Sequence, residues 1–285
     1  MAKGHTHVGV NYKAQLRDAL LAHADRIDIL EVTTEKLFIQ DDDPILRDLM
    51  RKLPVSLHGL DMSLGSSSQL DDSYLRKLQH ALVTNDHLWF SDHLSLTKEG
   101  GTEVGHLMPM RLGEASLGSA VEKVKVVQAF SRQPFLVENI TYYYPMPGSD
   151  LPEAEFLTRL VQQTDCGLLL DVNNLYINAV NHAFDPDAYL DAIPLDHVVE
   201  IHLAGGSHKF GMLIDTHATD VWPAVWGLFE KVCARTRPRA VIVERDSNFG
   251  AFEHMLMELD IAREILARHG LYAPRPVSVA MTTAA

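Results

Sequence analysis

Eight short runs along the chain are dense in apolar and β-branched residues. They are THVGVNY (6–12), IDILEVTTE (27–35), VSLHGL (55–60), LWFSDHLS (88–95), PFLVENI (134–140), GLLLDVNN (167–174), VVEIHLAG (198–205) and AVIVERD (240–246). Between them lie amphipathic stretches such as SYLRKLQHALV, SLGSAVEKVKVVQAF, PEAEFLTRLVQQT and VWPAVWGLFEKVCART. Their apolar residues fall at i, i+3, i+4 and i+7, the helical repeat. Near-continuous apolar strands alternating with helices predict a parallel sheet covered by helices. Eight such units in 285 residues predict an α/β fold of the (β/α)8 TIM-barrel type. The alternative, an open doubly wound sheet, would gather its functional groups at one switch point. With no low-complexity linker, residues 1–272 are expected to form a single barrel domain. The Pro-broken, small-residue stretch 273–285 is expected to be a flexible tail.

The polar residues sit at the C-terminal ends of these runs, where a (β/α)8 barrel builds its active site. The second run ends near Glu31 and Glu35, the third at His58, the fourth at Asp92 and His93, and the fifth at Glu138 and Asn139. The sixth ends at Asp171, Asn173 and Asn174, the seventh at Glu200 and His202, and the eighth at Glu244, Arg245 and Asp246. Several carboxylates buried together need neutralising cations, and Arg245 is nearly the only cation in this ring. Metal is the expected source of the missing charge. Imidazoles and carboxylates without thiolates suit Fe, Mn, Zn or Co. His58, His93, Glu138, Asp171, His202 and Glu244 make six ligands from six strands, too many for one tetrahedral ion with an open position. A cluster of two or more ions with a bridging carboxylate is expected. Downstream, LIDTHATDV carries Asp215 and His217 at i, i+2, so both side chains share one side of an extended segment. With Asn173 they could hold a further ion, and His182 could be its fourth ligand or an outer support. Glu31 and Glu35 are read as helix-capping or solvated carboxylates. His5, His7, His80, His87, His106, His197, His208, His254 and His269 are read as non-ligands. GSSSQ (65–69) and YYYPMPG (142–148) are loops that could wall a substrate pocket.

Composition narrows the function. Lys plus Arg is 25 against 38 Asp plus Glu, a formal net charge of −13, which argues against a nucleic-acid-binding surface but leaves room for a basic substrate. The two cysteines, Cys166 and Cys233, have no CxxC context and read as buried small hydrophobes in a reducing compartment. No apolar signal region opens the chain and no run reaches the length of a membrane span, so a cytoplasmic protein without membrane contact is expected.

The motifs SLHGLDMSLGSS, SDHLS, PFLVENI, CGLLLDVNNLYINAVNHAFD, EIHLAGG, LIDTHATDV and VIVERDSN together resemble the multinuclear non-haem iron oxidative enzymes. These include the oxazolone-forming enzyme of methanobactin biosynthesis and other modifiers of ribosomally made peptides. The resemblance spans residues 7 to 268 and implies a TIM barrel. It implies that His58, His93, Glu138, Asp171, His202 and Glu244 bind two irons and that Asn173, Asp215 and His217 bind a third. Two to three irons in mixed Fe(II)/Fe(III) states are thus the expected cofactor. His93, Glu138 and Asp171 are the expected catalytic residues, with His182, Asn174 and Arg245 as supporting groups or an additional ligand. The implied reaction uses iron and O2 to oxidise a side chain, often cysteine, of a precursor peptide, taking hydrogen from its β-carbon. A separate partner protein for leader-peptide recognition is also implied. The chain departs from the family pattern at LEVTTEKLF, at LMPMRLGEAS and at Gly206, where substrate specificity is expected to lie. Two other functions compete: a divalent-metal barrel isomerase, epimerase or phosphodiesterase, and a binding barrel whose metal only stabilises the fold.

Overall fold

The computed structural model describes residues 5–39 and 43–273. Eight parallel strands close into a barrel: β1 His7–Asn11, β2 Leu30–Thr33, β3 Val55–Gly59, β4 Phe90–His93, β5 Phe135–Glu138, β6 Gly167–Asp171, β7 Val198–Leu203 and β8 Ala240–Val243. Each pairs with its neighbours in sequence, and β1 closes the ring on β8. All eight apolar runs read from the sequence contain a barrel strand. The fold is a TIM barrel, as the alternation of strands and helices predicts.

The helices are α1 Arg17–Ala22, α2 Pro44–Lys52, α3 Asp72–Thr84, α4 Glu114–Phe130, α5 Glu153–Thr164, α6 Val172–His182, α7 Pro186–Ala192, α8 Pro223–Cys233 and α9 Phe252–Arg268. Side-chain caps set several starts. Asp71 accepts from the Ser73 and Tyr74 amides ahead of α3, and Asp43 accepts from Ile45 and Leu46 ahead of α2, satisfying amides that a helix start leaves free. The helices bury one face against the outward-facing strand residues, such as Val10, Val32, Leu57, Val137, Leu170 and Val243. Two hairpins that the apolar pattern does not announce are added on the barrel. Leu96–Glu99 pairs with Thr102–Met108 after β4, and Ser207–Lys209 with Met212–Ile214 after β7.

Inside the barrel the two-residue repeat of a strand decides the site. A small interior core holds Ile29, Trp89, Leu136, Leu169, Ala240 and Ile242. Side chains two residues further along lie on the same face. That step leads from Ile29 to Glu31, from Leu136 to Glu138, from Leu169 to Asp171 and from Ile242 to Glu244. The lower barrel is thus apolar and its C-terminal layer is polar. Register keeps that layer level, because His93 sits opposite Glu138 and Asp171 opposite His202. From residue 274 onward the expected tail lies outside the described residues.

Candidate metal centre

Glu138 lies at the middle of the polar layer. Its Oε2 is 3.3 Å from His58 Nε2 and 3.2 Å from His93 Nε2, and its Oε1 is 3.7 Å from His202 Nδ1. The tautomer of His58 follows from its neighbours. The Ser91 hydroxyl donates to the Leu57 carbonyl at 3.3 Å, so at 2.8 Å it accepts from His58 Nδ1. The proton of a neutral His58 is then on Nδ1, and Nε2 turns a lone pair toward Glu138. Burial, with His93 and His202 nearby, holds His58 well below the ordinary histidine range, and burial brings His93 down to about 4. Both rings are therefore neutral, the form that binds metal.

The second half of the layer centres on His202. Its Nε2 donates to Glu31 Oε2 at 2.8 Å, and its Nδ1 lies 3.1 Å from Glu244 Oε2. Glu31 is 2% exposed. The expectation of a capping or solvated Glu31 is thus corrected: the carboxylate faces into the barrel because it stands two residues after Ile29. Glu35 is corrected too. It accepts from the Leu60 amide and the Tyr74 hydroxyl and joins the β2 and β3 loops to α3. Asp92 faces the helix layer, where Met62 N donates to it. Glu200 lies below the cluster and accepts from Trp89 Nε1 at 2.7 Å and from Ser56 Oγ at 3.1 Å.

Asp171 serves two elements. Its Oδ1 caps α6 by accepting from the Asn174 amide at 2.7 Å, while its Oδ2 makes no hydrogen bond. The loop after β7 closes over it: His217 Nε2 is 2.8 Å from Asp215 Oδ1 and 3.9 Å from Asp171 Oδ2, and its Nδ1 is 3.2 Å from Glu244 Oε2. Asn173 donates to Asp215 Oδ1 at 3.0 Å. The nine ligand candidates read from the sequence thus converge at one end of the barrel.

The supporting residues divide. Asn174 lies beside the cluster and donates to the Asn139 carbonyl at 3.1 Å. His182 lies away from it: its Nε2 donates to the Tyr142 carbonyl at 2.8 Å and its ring stacks on Tyr142. Arg245 is not the cation of the ring. Its guanidinium turns outward to Glu258 and Asp220, both at 2.9 Å, because residue 245 falls on the opposite strand face from Glu244. Among the described residues the cation lining the mouth is Lys13, just beyond β1, which pairs with Asp246 at 2.5 Å. Burial alone would lower Lys13, but Asp246, Glu244 and Glu31 hold it above its usual value. The sequence pattern does not single out Lys13, which stands alone after an ordinary strand.

The donor set fits metal ions. Glu138 Oε2, Asp171 Oδ2 and Asn173 Oδ1 are buried without hydrogen bonds, and His202 Nδ1 and His217 Nε2 face carboxylates of the cluster, Glu244 at 3.1 Å and Asp215 at 2.8 Å. Buried polar atoms normally have partners, and these point at one another. Lone pairs face each other between His58, His93 and Glu138, an arrangement that requires a proton or a cation between them. Four groups have ligand atoms close enough to share an ion: His58–His93–Glu138, Glu138–Asp171–His202, Asp171–His217–Glu244 and Glu31–Glu200–His202. Without metal, protons supply the charge. Burial pushes Glu138 well up and Asp171 to about 7. Against the effect of burial, Glu31 and Glu244 raise His202, while Asp215 and Glu244 raise His217.

A cavity of about 280 Å³ opens above this layer and is lined by Lys13, Leu60, Leu107, Ile140, Thr141 and Tyr143 together with the cluster. Of the two loops proposed as walls, YYYPMPG contributes Tyr143. GSSSQ lies away from the mouth, where Ser67 donates to Glu99. No described helix is long and apolar enough to cross a membrane.

Known structures share the fold. A D-psicose 3-epimerase solved in the presence of D-fructose superposes with a TM-score of 0.57 at 14% identity, covering 92% of this chain and 99% of that one. Endonuclease IV from Thermus thermophilus does so with a TM-score of 0.55 at 18% identity, covering 92% and 99%. Sequence relatives are closer. A UPF0276 protein of Rhizorhabdus wittichii is 38% identical over 245 residues, 85% of this chain and 88% of that protein. UPF0276 protein PA3283 of Pseudomonas aeruginosa is 36% identical over 249 residues, 86% and 87%. A family model described as RiPP precursor modification enzyme MbnB/TglH/ChrH matches residues 7–267, nearly the whole barrel. The chain belongs to that family, the multinuclear non-haem iron oxidative enzymes whose motifs its strand ends resemble.

Proposed function

We propose that this protein is an iron-dependent oxidoreductase that uses O2 to modify one residue, often a cysteine in this family, of a ribosomally made precursor peptide. The observation that carries the reading is the set of buried imidazole, carboxylate and amide atoms that converge at the barrel mouth close enough to share metal ions. His58, His93 and Glu138 would hold one iron, and Glu138, Asp171, His202 and Glu244 a second. Asn173, Asp215 and His217 would hold a third beside Asp171 and Glu244. When bound, iron supplies an open coordination position for O2 and a neighbouring Lewis acid for the substrate heteroatom.

The chain's own groups do the rest. Glu138 presents one oxygen to each side of the cluster and so can bridge two cations. Ser91 and Glu31 fix the proton positions on His58 and His202, which keeps the opposite nitrogens aimed inward. Leu60, Leu107 and Ile140 give the cavity apolar wall positions. The cavity takes a side chain with a short stretch of backbone, which favours an extended peptide over a folded surface. Among the described residues, two short hairpins are the main additions to the barrel. A separate partner protein for the leader peptide is proposed on the family resemblance.

The test is mass spectrometry of a candidate short ribosomal peptide, encoded beside this gene, after co-expression with the enzyme. A mass change that needs O2 and disappears in His93→Ala is expected. One imidazole lost from the mouth of an eight-stranded barrel removes little packing, so that variant keeps the fold. A mass change that persists without oxygen, or that survives the substitution, contradicts the reading. An isomerase would leave the substrate mass unchanged.

A further inference from the structure

Beside the mouth lies a second pocket, of about 150 Å³, whose lining includes Leu94, Met110, Tyr142, Tyr144, Met146 and Glu153. The segment 140–144 divides the two spaces. Thr141 and Tyr143 line the metal-centre cavity, Tyr142 and Tyr144 line the second pocket, and Ile140 lines both. Tyr142 is held from three directions. Its amide donates to Asn178 Oδ1 at 3.0 Å, its carbonyl accepts from His182, and its ring stacks on the His182 imidazole at 4.5 Å. His182 therefore builds this wall rather than binding metal.

Glu153, in the first turn of α5, supplies a carboxylate to the otherwise largely apolar and aromatic lining. Its Oε2 accepts from the Tyr189 hydroxyl at 3.1 Å. Among the described residues it has no cationic partner. Burial pushes it up to about 7, with the Tyr189 hydrogen bond opposing. A carboxylate so placed lacks the charge that would normally accompany it.

We propose that this pocket is a specificity subsite for a lysine or arginine side chain of the substrate peptide, next to the residue that enters the metal-centre cavity. The proposal rests on the peptide-modifying reading above. Leu94, Met110 and Met146 suit the aliphatic stem of such a side chain, the tyrosine faces attract its cation, and Glu153 pairs with its head group. An apolar side chain would seal Glu153 away from water with the Tyr189 hydroxyl but no cation beside it. An acidic one would face like charge, in a protein that already carries −13 and attracts basic segments.

The experiment needs neither metal nor turnover. Protein with isotope-labelled methionine methyl groups is titrated, at about pH 8 where Glu153 is ionised, with the N-acetyl methylamides of lysine, arginine and norleucine. Saturable shifts of the Met110 and Met146 methyl resonances are expected for the two cations, with norleucine at least about tenfold weaker. Glu153→Gln should abolish that preference while leaving the other methionine resonances in place. Equal binding of norleucine, no shift at Met110 and Met146 with the cations, or an unchanged preference in Glu153→Gln would overturn the proposal. None of these outcomes bears on whether the metal centre oxidises a peptide.

Discussion

His202 shows how much depends on single nitrogen atoms. As a carboxylate, Glu31 accepts from Nε2 and leaves Nδ1 for the cluster. Carboxylate partners of this kind typically account for about 10–100-fold in metal affinity. Glu31→Gln should weaken metal binding by that factor without unfolding the protein, as measured by competition with a chelator. Unchanged affinity would remove Glu31 from the design. Glu138 and Asp215 give a second contrast. Glu138 faces His58, His93 and His202, whereas Asp215 contacts Asn173 and His217. Glu138→Gln should lower occupancy at more than one position, and Asp215→Asn chiefly at one. Metal counts per chain check this, and equal single-ion losses in both variants would reject the bridging role of Glu138.

Strands carry the site because their two-residue repeat joins an apolar floor to a polar rim. The repeat also sets tight steric limits. At Gly9 in β1 an added Cβ would lie 1.8 Å from the Ile29 carbonyl oxygen, so backbone must shift to admit it. Gly9→Ala is expected to cost about 1–3 kcal/mol, read as a lowered midpoint in chemical denaturation with an unchanged slope. A midpoint within error of the parent would mean that β1 and β2 are not packed this closely. The eight strands, and the polar residues that the fold gathers at its mouth, are legible because each strand is a short apolar run with a polar end. The hairpin after β4 is less so: its strand Thr102–Met108 is largely exposed and lacks an apolar face. Its turn, Gly100–Gly101 with φ of 56° and 80°, is nonetheless a hairpin signal that the chain does display. Glu31 and Arg245 depart from the sequence expectation for a related reason. Neighbouring residues at a strand end differ in face, and only the phase set by Ile29 and Ile242 tells which one points inward. Lys13 carries no pattern at all, since its place depends on Asp246, which is far away in the sequence.

For the molecule as a whole, the metal-free cluster is a store of protons, and stability should report it. Burial is the first cause that raises Asp171 to about 7 and Glu200 to about 8, whereas unfolded carboxylates titrate near about 4. Between those values the folded state binds more protons than the unfolded one. The stability these groups confer is complete at low pH and is lost as pH rises through about 7 and 8. His202 and His217, also raised, act in the same sense. His58 and His93 act oppositely, but only below about pH 6.5. Metal-free protein should therefore melt at a lower temperature at about pH 8 than at about pH 6.5, and metal loading should reduce or reverse the difference. Calorimetry at the two pH values checks it, and a metal-free melting temperature that rises with pH would contradict it. The same cluster admits a more direct question, which is how much metal it holds. Protein made in iron-rich medium should contain roughly two to three irons per chain and show charge-transfer absorbance when oxidised. Elemental analysis that finds one tightly held zinc, with no further uptake on iron loading, would contradict a multinuclear iron centre.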